Sequence, residues 1–181
     1  MTVGIVVFPG SNCDRDMAWA LSGILDLPCR FLWHDTTSLE DIQAVVLPGG
    51  FSYGDYLRCG ALASLSPLLH AVHAFAADGG PVLGICNGFQ VLTESGILDP
   101  PTEPTDAGAL HSAEGRQIAL HANASNRFEC RWIELEVADT ACVWLEEGQR
   151  IPCPAAHAEG RFVVRDESVL ERLKTSRQVA L

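Results

Sequence analysis

Basic side chains are scarce in this sequence, and it contains no long run of apolar residues. The 181 residues contain 12 Lys and Arg against 23 Asp and Glu, which gives a formal net charge of -11 at pH 7. Such an acidic surface argues against binding to nucleic acid or to an anionic membrane. No apolar run reaches the roughly 18 residues that a membrane-spanning helix needs. Because 48% of the residues are hydrophobic, the composition suits one globular domain with a sizeable core.

Paired cysteine motifs are also missing. The seven cysteines, at positions 13, 29, 59, 86, 130, 142 and 153, include no C-x-x-C pair. The sequence therefore lacks the pattern of a zinc ribbon or a thioredoxin, and we predict no metal site. An odd number of cysteines without such a framework is typical of a reducing compartment. Residues 1–8 lack the basic region of a signal peptide, and we expect a cytoplasmic protein.

The first half of the sequence alternates strand and helix patterns. Short apolar runs rich in β-branched residues predict buried parallel strands at 3–8, 29–33, 44–47 and 81–85. Helical spacing predicts helices at 17–25, 65–77 and 87–95, and residues 11–14 offer N-cap chemistry for the first of them. This alternation predicts an α/β fold with a doubly wound, mostly parallel sheet. Its ligands would bind beyond the carboxyl ends of the strands.

The second half has a different character. Prolines at 100, 101 and 104 predict a loop over 99–108. Apolar or alternating stretches beyond it predict strands at 128–137, 141–145 and 151–156, and a short surface helix at 167–174. Residues 178–181 have the pattern of a strand that has only begun.

The sharpest chemical pattern is Gly84-Ile85-Cys86-Asn87-Gly88, which lies between a predicted strand and a predicted helix. It has the form of a nucleophile elbow with cysteine in place of serine. The two glycines leave room for a tight turn, and the N-terminus of the following helix stabilises a thiolate at Cys86. The N–H of Asn87 is placed to stabilise an oxyanion. A buried structural cysteine between two packing glycines would have the same local sequence, but the strand-to-helix context favours a nucleophile.

A second half of an oxyanion hole and a base are needed beside such a cysteine. The glycine-rich loop over 47–55 lies on the same predicted sheet edge, where free backbone N–H groups can bind an anion. A cysteine nucleophile works with a base, which an acidic group orients. Positions two apart on a strand face the same side, and His157 is the only histidine with a carboxylate at that offset, Glu159. We interpret the remaining histidines as surface residues or as members of no constellation: His34, His70, His73, His111 and His121.

Four segments of the sequence together resemble one family. They are PGSNCD at 9–14, WH at 33–34, PGGFSYGDYLRCG at 48–60 and GICNGFQ at 84–90. These segments resemble the glutaminase subunits of phosphoribosylformylglycinamidine synthase, which are class I glutamine amidotransferases. The resemblance is dense over residues 3–96 and patchier over 126–162.

The resemblance implies a flavodoxin-like fold in which Cys86 attacks the side-chain amide of glutamine and releases ammonia. It also implies that the N–H groups of Gly50 and Asn87 form the oxyanion hole and that Gln90 lies near the substrate. The ammonia would pass to a synthetase subunit that converts formylglycinamide ribonucleotide with ATP and Mg²⁺ in purine biosynthesis. A small bridging subunit is a further expected partner, and this chain itself is expected to need no cofactor.

The sequence departs from the family at the catalytic base. The family's base lies in a His-Pro-Glu segment, and this chain contains no such segment. His157-Ala158-Glu159-Gly160 resembles a different, upstream family segment. The resemblance therefore argues against His157 and Glu159 as base and orienting carboxylate, the roles that their spacing suggests. The family position weighs more in our interpretation. We therefore expect a single amidotransferase domain over residues 1–181 whose C-terminal part is missing, with weak or absent glutaminase activity of its own.

Two other classes of function stay open. A stand-alone cysteine hydrolase or redox-sensing protein of similar fold would also carry a cysteine at an elbow. Rapid peroxide oxidation of Cys86 without reactivity toward a glutamine analogue would favour it. A catalytically inactive structural subunit would bind the synthetase without releasing ammonia.

Overall fold

The computed structural model describes residues 1–55, 60–99 and 115–181. The chain divides into two compact units, Met1–Gly115 and Arg116–Leu181. The single domain expected over 1–181 stays a prediction. Within the described ranges, none of the helices has the length and apolar character needed to cross a membrane.

A four-stranded parallel sheet forms the centre of the first unit. Its strands are β1 (Val3–Val7), β2 (Cys29–Trp33), β3 (Ala44–Leu47) and β4 (Val82–Gly84). They lie in the order β2-β1-β3-β4, and every neighbouring pair is parallel. This is the strand order of a flavodoxin-like, doubly wound sheet, so the predicted fold class is confirmed. The order reverses between β1 and β3, and the loops after these strands therefore border a crevice.

Helices cover both faces of this sheet. Helix α1 (Asp14–Ala18) continues as a π-helix over Trp19–Ile24, and α2 (Pro67–Ala77) and α3 (Asn87–Glu94) follow later in the chain. One face of the sheet packs with the π-helix in a buried cluster made of Val3, Ile5, Leu21, Ala44 and Val46. The buried side chains that α2 and α3 add to the other face are Leu68, Leu69, Val72, Val91 and Leu92. Because a parallel strand is covered on both sides, β3 is apolar and buried at every position.

The start of α1 corrects one sequence expectation. Its N-cap is Cys13, which makes no side-chain cap hydrogen bond. The side chain of Asn12 instead accepts a hydrogen bond from the N–H of Phe51, in the loop after β3. The polar residues at 11–14 therefore do not cap the helix through their side chains.

Helix α2 begins at a true side-chain cap. The hydroxyl of Ser66 accepts a hydrogen bond from the N–H of Leu69 at 3.3 Å, and Pro67 occupies the first helical turn. Ser66→Ala should lower the free energy of unfolding by about 1 kcal/mol, because one helix N–H loses its partner. Urea unfolding measures this change, with Ser66→Thr as the matched control that keeps a capping hydroxyl. Equal stability of the alanine and threonine variants would contradict the assignment.

The second unit consists of two separate two-stranded antiparallel sheets and one helix. Strand β5 (Ile118–Ala122) pairs with β8 (Glu159–Val164), and β6 (Glu129–Glu136) pairs with β7 (Arg150–His157). Helix α4 (Glu167–Thr175) follows β8. Its N-cap, Asp166, accepts hydrogen bonds from the Ser168 hydroxyl and the Val169 N–H, and these lower the pKa of its carboxyl group.

The sequence predictions were less accurate in this second unit. The predicted strand at 141–145 is wrong, because Glu136 pairs with Arg150 and residues 137–149 form the connection between β6 and β7. Residues 178–181 form no strand, although the Ala180 carbonyl accepts one hydrogen bond from the Ala138 N–H. Strands β5 and β8 were not predicted. The predicted loop at 99–108 lies outside the described residues except for Asp99.

Candidate active site

Cys86 occupies the sharp turn between β4 and α3. Its backbone has φ of 52° and ψ of -111°, a conformation that is costly for any residue with a side chain. The turn is held by a hydrogen bond from the Ile85 N–H to the Leu47 carbonyl (3.0 Å) and by one from Gln90 to the Cys86 carbonyl (3.1 Å). The cysteine itself is exposed. This geometry confirms the strand–turn–helix context that the sequence pattern predicted for the elbow.

The glycines on either side of Cys86 allow α3 to lie directly against the sheet. A Cβ on Gly84 would lie 2.6 Å from Leu92 Cδ1 and 2.8 Å from the Gly88 carbonyl oxygen. A Cβ on Gly88 would lie 2.6 Å from the carbonyl carbon of Leu47 in β3. All three distances are far shorter than a carbon–carbon or carbon–oxygen contact permits, so neither position accepts a side chain.

The loop after β3 lies beside the thiol. A Cβ on Gly49 would be 3.2 Å from Cys86 Cβ and 3.9 Å from its Sγ. Gly50 follows with φ of 119°, a conformation that favours glycine. Within residues 1–55, 60–99 and 115–181, neither the N–H of Gly50 nor the N–H of Asn87 donates a hydrogen bond. Within the described residues, two amides without a protein acceptor therefore belong to the segments next to the cysteine, and their role as an oxyanion hole stays a prediction.

The side chain of Asn87 connects this loop to the first turn of α3. It is 1% exposed, and its Oδ1 accepts a hydrogen bond from the Ser52 N–H at 3.2 Å. Its Nδ2 donates to Asp55 Oδ1 at 3.2 Å and to Gln90 Oε1 at 3.1 Å. Gln90, the residue expected near the substrate, thus belongs to the same hydrogen-bonded group as Asn87.

A second thiol lies near the elbow, in the turn after β1. Burial raises the pKa of Cys13, and the negative charges of Asp16, Cys86 and Asp14 raise it further. A raised thiol pKa means less thiolate at neutral pH and slower reaction with electrophiles. Cys13 should therefore react more slowly than an unperturbed thiol with any electrophilic reagent that reaches Cys86.

His157 and Glu159 belong to the second unit, and they do not share a strand. Strand β7 ends at His157, the chain bends at Ala158, and β8 begins at Glu159. The expectation that both side chains lie on one face of one strand is therefore wrong. Their assignment as base and orienting carboxylate stays a prediction.

Asn123 fixes the orientation of the His157 ring. Its Nδ2 donates to the carbonyls of Arg127 (2.9 Å) and His157 (2.8 Å), which leaves its Oδ1 as an acceptor. The His157 Nδ1 lies 3.0 Å from that oxygen, so in the neutral ring Nδ1 carries the proton and Nε2 has the lone pair. A Cβ on Gly160 would be 2.6 Å from His157 Nε2, so the ring covers that glycine.

The structure thus brings together four of the predicted site residues, Cys86, Gly50, Asn87 and Gln90, in the first unit. Sequence reasoning did not find the parts played by Asn12 and Asp55. The polar side chain of Asn12 was visible in the sequence, but its position just before a helix indicated a cap. Asp55 lies in the segment 48–60 that carries the family resemblance, but nothing local shows its contact with Asn87, which joins residues 32 positions apart.

A parallel sheet of this strand order, with a cysteine on a strained strand-to-helix turn beside a glycine-rich loop, defines an α/β protein with a cysteine elbow. Comparison with known families then identifies the group. The chain belongs to the family of CobB/CobQ-like glutamine amidotransferase domains, whose family model matches residues 1–181.

Relatives agree with this assignment. The chain is 48% identical to "Phosphoribosylformylglycinamidine synthase subunit PurQ" of Prochlorococcus marinus (strain MIT 9312), over 99% of this chain and 74% of that protein. It is 46% identical to the PurQ subunit of Trichormus variabilis, over 99% of this chain and 73% of that protein. The chain thus spans about three quarters of the length of these relatives. The family resemblance drawn from the motifs is confirmed.

Solved structures show the same fold. The structure of PurLQS from Thermotoga maritima matches with a TM-score of 0.70 and 36% identity, over 92% of this chain and 70% of that chain. A glutamine amidotransferase from Thermotoga maritima matches with a TM-score of 0.54 and 17% identity, over 91% of this chain and 63% of that chain. At this low identity, the second likeness concerns the fold alone.

Proposed function

We propose that the chain is the glutamine-hydrolysing subunit of a phosphoribosylformylglycinamidine synthase and that it supplies ammonia for purine biosynthesis. The observation that carries the proposal is the 48% identity to a PurQ subunit over 99% of the chain. The exposed Cys86 on a strained elbow supplies the nucleophile that such a subunit needs, and the nearby N–H groups of Gly50 and Asn87 meet no acceptor within the described residues.

In the proposed reaction, the Cys86 thiolate attacks the carbonyl carbon of the glutamine side-chain amide. As the S–C bond forms, the carbonyl π electrons move onto the oxygen, which accepts hydrogen bonds from Gly50 and Asn87. The intermediate collapses, the C–N bond breaks, and the nitrogen takes up a proton from the solvent, which received the proton of the thiol, and leaves as ammonia. Water then hydrolyses the glutamyl thioester to glutamate and restores the thiol. We place Gln90 against the bound glutamine, because its side chain is hydrogen-bonded to Asn87.

The partner in this proposal is a synthetase subunit, which holds ATP and Mg²⁺ and uses the ammonia on formylglycinamide ribonucleotide. Support comes from the PurLQS assembly, whose chain resembles this one at a TM-score of 0.70. A small bridging subunit completes the proposed complex, and this chain holds no cofactor of its own. The proposed compartment is the cytoplasm, where thiols stay reduced, and six cysteines among the described residues are free.

A chloroketone analogue of glutamine tests the proposal. In this reagent a chloromethyl group replaces the amide nitrogen, so the Cys86 sulfur displaces chloride and forms a stable thioether. We expect one label per chain, located on Cys86 by peptide mass spectrometry, and slower labelling when glutamine is present. Cys86→Ala should abolish the labelling at this site.

The matched control is Cys13→Ala, which removes the neighbouring thiol of raised pKa. It should leave the labelling rate nearly unchanged. Labelling that glutamine does not slow, combined with rapid oxidation of Cys86 by peroxide, would overturn the proposal in favour of a redox-sensing protein. Stable binding to a synthetase subunit without any glutamine-protected labelling would indicate an inactive structural subunit.

A further inference from the structure

We propose that Asn12 is a positioning residue for the oxyanion hole, which holds the Gly50 amide in the orientation that glutamine hydrolysis needs. The inference rests on the proposed function and adds a residue to its machinery. Asn12 lies in the turn after β1, on a different strand connection from both Gly50 and Cys86.

The first observation is the contact of Asn12 with the peptide that follows Gly50. The Oδ1 of Asn12 accepts a hydrogen bond from the Phe51 N–H at 3.1 Å. That N–H and the carbonyl of Gly50 share one planar peptide unit, so the hydrogen bond restricts the ψ angle of Gly50. The hydrogen bond thereby fixes the peptide that follows Gly50, and the peptide that carries the Gly50 N–H is joined to it through the Gly50 Cα.

The second observation is the close approach of Asn12 to Gly50 itself. A Cβ on Gly50 would lie against Asn12 Oδ1 and 3.2 Å from the Asn12 backbone nitrogen. Gly50 has φ of 119°, which a residue with a side chain rarely adopts. Only glycine therefore fits here, and Asn12 occupies the space beside its Cα.

The turn that carries Asn12 is itself well anchored. The Ser11 N–H donates to the Phe8 carbonyl at 3.0 Å, and the Tyr53 N–H donates to the Pro9 carbonyl at 2.6 Å. These hydrogen bonds tie the turn to β1 on one side and to the loop after β3 on the other. An anchor of this kind can hold the Gly50 peptide in place without moving itself.

Three consecutive backbone N–H groups of the loop, those of Gly50, Phe51 and Ser52, differ in their hydrogen bonding. The N–H of Phe51 is bound by Asn12, and the N–H of Ser52 is bound by Asn87 Oδ1 at 3.2 Å. The N–H of Gly50, by contrast, meets no acceptor within the described parts of the chain. Two asparagines therefore fix the loop, and the remaining amide is available to the oxygen of the substrate.

Two reagents separate positioning from a general structural role. The chloroketone analogue of glutamine places its ketone oxygen where the amide oxygen would lie, so its reaction depends on the oxyanion hole. Iodoacetamide reacts with Cys86 by direct displacement of iodide and needs no oxyanion hole. For Asn12→Ala in the full chain, we expect the chloroketone rate to fall about tenfold or more, since loss of one oxyanion donor costs about 10²–10³ in rate. The iodoacetamide rate at Cys86 should change less than about threefold.

The conservative variant Asn12→Asp keeps an oxygen that can accept from the Phe51 N–H. It should restore the ratio of the two rates to near the wild-type value, even if the added negative charge slows both reactions by raising the pKa of the thiol. If the chloroketone and iodoacetamide rates of Asn12→Ala fall equally, so that their ratio stays at the wild-type value, the inference is overturned. A ratio in Asn12→Asp as low as in Asn12→Ala would also overturn it. If the wild-type chain shows no glutamine-protected labelling, the proposed function itself fails, and that result is distinct from the others.

Discussion

Gly88→Ala is expected to prevent the elbow from forming and to destabilise the first unit by about 3 kcal/mol or more. A Cβ at this position would lie on the backbone carbonyl of Leu47 in β3, 2.6 Å from its carbonyl carbon. Overpacking usually costs about 1–3 kcal/mol, because side chains can shift. Here the obstacle is backbone in the middle of a parallel sheet, so α3 would have to move away from β3 and β4.

The matched control for this prediction is Gly23→Ala, the same chemical change in the π-helix of the same unit. A Cβ there would meet the ring of Trp19 at 3.1 Å, and that exposed side chain can turn aside. Alanine is also about 1 kcal/mol better than glycine in a helix interior, so this variant should be neutral or slightly more stable. Urea unfolding compares the two, and the iodoacetamide rate at Cys86 reports on the elbow. A Gly88→Ala chain as stable as Gly23→Ala would contradict the packing described above.

The part of the fold that the sequence predicted well is the part where local pattern and tertiary packing agree. Strands β2 and β3 have the predicted bounds, 29–33 and 44–47. β3 is a short run of apolar residues that a doubly covered sheet buries completely, and such a run is visible without any partner. The elbow was predictable for a related reason, because its glycines and its strand-to-helix context lie within five consecutive residues.

The rest depended on contacts between distant parts of the chain. Asn12 and Phe51 are 39 residues apart, and nothing near Asn12 shows that its side chain crosses to another loop. Strands β5 and β8 pair across about 40 residues and were missed, whereas the apolar segment 141–145 was taken for a strand although it only connects β6 to β7. Strands β6 and β7 form a similar two-stranded sheet, yet the predicted ranges 128–137 and 151–156 agree with them to within about one residue at each end, because their pattern is local.

The same dependence on distant contacts explains why His157 and Glu159 do not share one face of one strand, as their spacing predicted. Spacing of two residues places side chains on one face only if the strand continues, and here Ala158 bends the chain from the β6–β7 sheet to the β5–β8 sheet. The hydrogen bonds of Asn123 hold this bend, including one from its own N–H to the Ala158 carbonyl at 2.9 Å. The contacts of His157 within its own unit therefore indicate a structural role.

Asn123→Ala should lower the free energy of unfolding of the second unit by about 4 kcal/mol, at about 1 kcal/mol for each of the four side-chain hydrogen bonds lost. Its side chain, in a residue only 6% exposed, binds the carbonyls of Arg127 and His157, the ring of His157 and the N–H of Gly160. Truncation leaves all four groups without this partner in a confined space. Hydrogen exchange followed by mass spectrometry should show faster exchange in β5, β7 and β8, with β1 and β3 nearly unchanged.

Two further variants make this result informative about function. Ser125→Ala, in the same turn, removes two exposed hydrogen bonds, one to Glu129 and one from the Arg127 N–H, and should cost less than about 0.5 kcal/mol. His157→Ala should destabilise the second unit less than Asn123→Ala, since it removes one of the four contacts, and should leave the chloroketone labelling of Cys86 within about threefold. A large fall in labelling in His157→Ala, with unchanged hydrogen exchange, would instead mark His157 as the base for Cys86.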